Sequence, residues 1–216
     1  MSYKLAIFDL DGTILNTLED LADSLNFVCL KYNFPTFSYE EVKYMVGNGI
    51  PKLIERALPQ GKDNPFYKDC LNDYISYYEK HSQIKTCPYP EMKETLLKLK
   101  EGGVKLGVNS NKIEDAVIPL CDFYFHGIFD FVSGGHLDRK PKPDPAGVNA
   151  ILAKASDCRP AIYIGDSDVD IQTGKNAGID VLSVAWGFRG RKFLEENGAM
   201  KVIDNVSQLL DEILYN

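Results

Sequence analysis

The stretch Leu5-Ala6-Ile7-Phe8-Asp9-Leu10-Asp11-Gly12-Thr13 decides how this chain is read. Its apolar run predicts a short strand over 4–8, and Asp11-Gly12-Thr13 is a turn signal. The strand therefore ends on two carboxylates. Two later segments repeat the arrangement: Val104–Val108 runs into Asn109-Ser110-Asn111, and Ala161–Ile164 runs into Gly165-Asp166-Ser167-Asp168-Val169-Asp170.

Around these strands the periodicity alternates. Helical spacing is read over 91–101, 112–120, 146–155, 168–177, 190–197 and 206–214. Strand-like runs fall at 104–108, 128–132, 161–164, 180–184 and 201–203. Strand alternating with helix predicts an α/β fold with a parallel sheet and helices on both faces. Residues 17–83 interrupt it. Leu18, Leu21, Ala22, Leu25, Val28 and Cys29 recur at helical spacing, Ser38 and Glu41 form a capping-box pattern, Pro51 opens a further helix and 66–82 reads as an aromatic-rich one. This block has no convincing strand, so it reads as a helical insertion after the first strand. The expected division is a core of 1–16 plus 84–216 and an inserted domain of 17–83.

Composition narrows the function. The 216 residues are 44% hydrophobic and 25% charged, as in globular proteins, and the net charge is −7. An acidic surface repels a phosphate backbone, which argues against nucleic acid as a partner. No apolar run approaches the length of a membrane helix, and four apolar residues near the start are too few for a signal-peptide core. Five scattered cysteines without a C-x-x-C pair argue against a disulfide framework or a zinc site. The chain reads as soluble and cytoplasmic; its oligomeric state is not legible.

In open α/β sheets ligands bind beyond the carboxyl ends of the strands, so Asp9, Asp11, Ser110 and Asp166 are expected to converge. Clustered carboxylates repel one another, and a site that gathers several usually holds a cation. All-oxygen donors without His or Cys suit a hard ion, Mg²⁺ first. A cation beside a hydroxyl suggests phosphoryl chemistry. Other readings fail on spacing. The Asp166 run lacks the Gly and Glu that a calcium loop needs, with Ile171 and Ala177 in their places. No P-loop and no G-x-S-x-G is present, and Gly47-Asn48-Gly49 is no dinucleotide fingerprint.

Asp9-Leu10-Asp11-Gly12-Thr13 resembles the first motif of the haloacid dehalogenase superfamily. Val108-Asn109-Ser110-Asn111 is similar to its second motif, Lys140-Pro141-Lys142-Pro143-Asp144-Pro145 to its third, and Gly165-Asp166-Ser167-Asp168-Val169-Asp170 to its fourth. The order and spacing match from residue 4 to about 189. The helical insertion resembles the first class of cap domains. Val46-Gly47-Asn48-Gly49, Leu53–Leu58 and Val184–Arg189 resemble the phosphoglycolate phosphatase subfamily. The chain departs from that pattern at Asn16-Thr17, where Asp-Ser is usual, and at Ser110, where Thr is commoner.

The resemblance implies a Rossmann-like core and a Mg²⁺-dependent phosphatase of a small phosphorylated metabolite. Phosphoglycolate is the first guess; a sugar phosphomutase or a pyrophosphatase on the same scaffold are the alternatives. It makes Asp9 the nucleophile, Asp11 the acid and base, and Ser110 and Lys140 the holders of the phosphoryl group. Asp9, Asp11, Asp166 and Asp170 form the metal set. Gly12 and Asn111 line the phosphoryl site, and Asn48 and Arg56 are candidate specificity residues on the cap. Lys140 is preferred over Lys142 because the family's pattern, Lys-Pro-x-Pro followed by Asp, fits 140–144, whereas Ala146 stands where an acid would follow in the other alignment.

Overall fold

The computed structural model describes residues 2–136 and 138–215. In chain order the elements are β1 (Leu5–Phe8), β2 (Leu15–Asn16), α1 (Leu18–Lys31), α2 (Tyr39–Met45), α3 (Ile50–Ala57), α4 (Tyr67–His81) and β3 (Cys87–Pro88). They continue with α5 (Met92–Glu101), β4 (Lys105–Ile113), α6 (Glu114–Phe125), β5 (Phe131–Gly135), α7 (Ala146–Lys154) and β6 (Ala161–Gly165). The last are α8 (Asp168–Ala177), β7 (Asp180–Val184), α9 (Gly190–Glu196), β8 (Val202–Ile203) and α10 (Gln208–Leu214). Contacts divide the chain into two units, Met1–Leu15 with Pro88–Asn216, and Asn16–Cys87.

The first unit carries a six-stranded sheet of order β5-β4-β1-β6-β7-β8, and the pairings that can be described are parallel. Successive side chains alternate across a strand, and the core splits accordingly. Ala6, Phe8, Leu106, Val108, Ile162 and Ile164 face one apolar cluster with Leu96, Leu99, Val117, Leu120 and Ile213 of α5, α6 and α10. Leu5, Ile7 and Tyr163 face the other with Val148, Ile151 and Leu152 of α7. Both faces are thus covered by helices, as a parallel sheet requires. The predicted fold class is the one observed.

Register aligns the strand ends. Phe8 lies opposite Val108 on one side and Ile164 on the other. The next residues, Asp9, Asn109 and Gly165, therefore stand side by side at this end of β1. β1 has β4 to one side and β6 to the other, so strand order reverses there, which is where open α/β sheets form their crevice.

The element ends differ most from the sequence reading around β4 and β5. β4 continues through Ile113, so α6 begins at Glu114 rather than 112 and keeps Lys112 in extended chain. The apolar run 128–132 is split: Ile128 packs in the core, and the strand is Phe131–Gly135.

The second unit is helical, built on α1 to α4, with Leu21, Leu25, Val28, Leu53, Ile54, Tyr74 and Tyr78 buried. Ser38 and Glu41 form the expected capping box of α2. The unit runs to Cys87, four residues beyond 83, because Asp20 of α1 holds the returning chain. Its carboxylate accepts N–H bonds from Ile84 at 3.1 Å, Lys85 at 3.0 Å and Thr86 at 2.8 Å. Among the described residues no helix is long and apolar enough to cross a membrane.

Candidate active site

Asp9 follows β1 and is buried, its N–H donating to the Ile164 carbonyl at 2.9 Å. Gly12, the residue after Asp11, has φ +87°, and a methyl group there would sit 2.5 Å from Asp166 Oδ2. Only glycine lets the loop turn back this closely. Asp166 itself is fixed by two donors, the Phe188 N–H at 2.7 Å and the Thr13 hydroxyl at 3.3 Å.

Asp170 sits in the first turn of α8, in a capping box with Ser167. The Ser167 N–H and hydroxyl both donate to Asp170 Oδ2, at 3.1 and 2.6 Å. Its other oxygen, Oδ1, accepts from Lys142 Nζ at 2.7 Å. Gly165 allows the approach: a methyl group there would lie 2.3 Å from the Asp170 side chain. Carboxylate oxygens of Asp9, Asp166 and Asp170 all fall within 4.8 Å of one another.

Lys142 is the cation of this cluster. It is buried, and its Nζ stands 2.7 Å from Asp9 Oδ1 as well as from Asp170. Where the sequence reading preferred Lys140, the structure brings Lys142 to Asp9; Lys140 is exposed, on the rim of a small recess lined also by Ser110, Asn111 and Lys142. The reason is tertiary. The Asn111 side chain clasps the Lys142 backbone, accepting its N–H at 2.6 Å and donating to its carbonyl at 3.3 Å. Asp144 meanwhile caps the start of α7 through the Ala146 N–H at 3.0 Å. The clasp selects which lysine turns inward, and an acid after the second proline has no part in it.

Electrostatics describes a charge deficit. Burial, Asp170 and Asp166 push the Asp9 carboxyl well above the ordinary carboxylate range, although Lys142 pulls it back. Burial and Asp170 push Asp166 up to about 7, against the Phe188 N–H and Arg189. Burial opposes the Lys142 charge, yet Asp170 and Asp9 outweigh it and hold its pKa well above lysine's ordinary value. Three buried carboxylates thus share one ammonium. An oxygen-only donor set with uncompensated negative charge fits a hard divalent cation.

The remaining expected residues divide. Ser110 is buried, and its oxygen accepts the Lys112 N–H at 3.2 Å, which leaves the hydroxyl proton free to donate to a ligand. Asn111 spends its side chain on Lys142. Asp11 is half-buried and pairs with Lys112, Nζ to Oδ1 3.1 Å. In the second unit Arg56 donates to Asn48 Oδ1 at 2.8 Å and to the Met45 carbonyl at 2.6 Å.

Two contributors escaped the sequence reading, Lys112 and Tyr163, and Lys142 was named there only as the lysine not preferred. Tyr163 is a fully buried strand residue whose hydroxyl accepts from Lys142 Nζ at 3.3 Å and lies 3.1 Å from the Asn109 carbonyl, to which it donates. Its only sequence signal was a phenol inside an apolar strand three residues before Asp166. A buried hydroxyl needs a partner.

Comparison with known proteins settles the lineage. Residues 6–184 match the haloacid dehalogenase-like hydrolase family. The chain belongs to that family. It is 35% identical to a phosphoglycolate phosphatase of Pseudomonas syringae pv. tomato, over 96% of this chain and 78% of that protein. It is 31% identical to one of Psychrobacter arcticus, over 99% and 97%. The crystal structure of a candidate phosphoglycolate phosphatase from Lactobacillus delbrueckii subsp. bulgaricus superposes with a TM-score of 0.94 at 34% identity, covering both chains fully. The resemblance drawn from the four motifs is therefore correct.

Proposed function

We propose that this protein is a Mg²⁺-dependent phosphatase that hydrolyses phosphoglycolate, or a small phosphate monoester like it, through an aspartyl-phosphate on Asp9. Its phosphatase character follows from the family and the named relatives. The substrate, the ion and the covalent step are the proposal. The observation that carries it is the position of Lys142 Nζ, 2.7 Å from both Asp9 and Asp170, beside the Asp166 carboxylate.

An Asp9 oxygen attacks phosphorus as the ester P–O bond breaks. The electron pair goes to the leaving oxygen, which takes a proton from Asp11. Asp11, now a carboxylate, takes a proton from the water that attacks the phosphoryl group and restores Asp9. Lys142 and the Ser110 hydroxyl hold phosphoryl oxygens, where charge develops. Asp170 keeps Lys142 charged and oriented. Mg²⁺ held by Asp9, the Asp11 backbone carbonyl and Asp166 would supply the positive charge that lets a carboxylate approach a phosphate dianion.

Asn48 and Arg56, tied to each other in the second unit, are proposed to select the substrate. Five unpaired cysteines support a reducing, cytoplasmic setting. The test is phosphate release across a panel of phosphorylated metabolites, with Mg²⁺ and with a chelator. We expect 2-phosphoglycolate or another small carboxylated ester among the best substrates, and loss of turnover with the chelator. Metal-independent hydrolysis, or no monoester hydrolysed at all, would refute the proposal.

A further inference from the structure

We propose that Lys112 is a positioning residue for Asp11, holding that carboxylate so that one oxygen faces the leaving group. The inference deepens the reading of Asp11 as acid and base and rests on it.

Lys112 is 4% exposed, although it lies just before a helix. Burying an ammonium is costly unless a counter-charge meets it. Here its Nζ stands 3.1 Å from Asp11 Oδ1. That oxygen is shut off from solvent and accepts no hydrogen bond among the described residues, so the ion pair is what fixes it. The backbone of Lys112 is anchored in turn, its N–H donating to Ser110 Oγ at 3.2 Å. One residue thus links the hydroxyl that meets the phosphoryl group to the carboxyl that handles the proton. With Oδ1 engaged by Lys112, Oδ2 is the oxygen left to carry a proton to the ester oxygen. A carboxyl that must give and then take a proton at one atom gains from a fixed rotamer.

Leaving-group dependence separates this role from a structural one. A 4-nitrophenolate leaves without help, whereas the alkoxide from an alkyl phosphate needs a proton as the P–O bond breaks. The experiment compares kcat/KM, which reports the steps up to aspartyl-phosphate formation, for an alkyl phosphate and for 4-nitrophenyl phosphate. The proteins are the parent, Lys112→Met, Lys112→Arg and Asp11→Asn, with thermal melting as a folding check.

Lys112→Met is expected to lose about 10²-fold on the alkyl ester and little on the aryl ester. Lys112→Arg, which keeps the charge, is expected to recover part of the loss. Asp11→Asn should show the same split. A split in Asp11→Asn without one in Lys112→Met overturns the proposal. So does a loss in Lys112→Met confined to carboxylate-bearing substrates whatever their leaving group, which would place Lys112 against substrate. No split in Asp11→Asn would instead remove the reading of Asp11, and the role of Lys112 with it.

Discussion

At the scale of single residues the site turns on which lysine meets Asp9. Lys142 is buried between two carboxylates and Lys140 is exposed. Removing the Lys142 ammonium leaves Asp9 facing a phosphate with less compensating charge. Lys142→Ala is expected to lose about 3–4 kcal/mol of transition-state stabilisation, roughly 10²–10³ in rate, and Lys140→Ala less than about tenfold. Single-turnover rates decide it; a crippled Lys140→Ala with near-normal Lys142→Ala would reverse the assignment. Asp9 and Asp166 were legible because an apolar run ending in a carboxylate is a local pattern. Lys142 was passed over, because two Lys-Pro patterns overlap there and the local one followed by an acid favours Lys140. The choice between them is made by Asn111, 31 residues away in sequence. Tyr163 was hidden for the complementary reason: its neighbours make it look like core, and half of it is.

At the scale of elements, the alternating segments declared their type, and their ends were the weaker reading. Residue 112 looked helical since apolar spacing begins nearby, yet β4 persists to Ile113 by pairing with Gly135 of β5. The contact division likewise ends the helical unit at Cys87 rather than 83. Nothing local in 84–87 reveals that Asp20 collects three of its N–H groups. This contact is also a stability device. Asp20→Ala would strip acceptors from Ile84, Lys85 and Thr86, of which Thr86 is buried, and a buried donor that loses its acceptor costs about 1–3 kcal/mol. A net loss of about 1–3 kcal/mol is expected, since water reaches the exposed Ile84 and Lys85. The sole tryptophan, Trp186, lies in the other unit. Urea unfolding of Asp20→Ala should therefore shift the far-ultraviolet dichroism transition more than the tryptophan fluorescence transition. An unchanged midpoint by both probes would contradict this account of the return crossing.

At the scale of the whole molecule, acid sensitivity should come from carboxylates that the fold keeps ionised. Asp130 is one. Burial opposes its charge, but the Leu106 N–H at 3.0 Å and Lys105 and Lys100 outweigh it and hold its pKa below the ordinary value of 3.8. A depressed folded pKa stabilises above the unfolded value, and that contribution disappears as pH falls through the folded one. Thermal melting of the parent should thus drop between about pH 5 and pH 2 more steeply than that of Asp130→Asn, which lacks the titrating group. Parallel curves would show that Asp130 contributes nothing to acid stability. The opposite sign holds at the site, where burial and neighbouring carboxylates raise Asp9 and Asp166. The molecule thus keeps most of its polar surface comfortable and concentrates unfavourable charge at one strand-end crevice, the signature of a functional site.

The central claim is that Asp9 becomes phosphorylated. Acid-quenched turnover of the best monoester with Mg²⁺, followed by peptide mass spectrometry, tests it most directly. The peptide containing Asp9 should gain the mass of one phosphoryl group during turnover, and the Asp9→Asn variant should show neither the adduct nor phosphate release. Sustained phosphate release by Asp9→Asn, or a phosphoryl group found on another residue, would contradict the account.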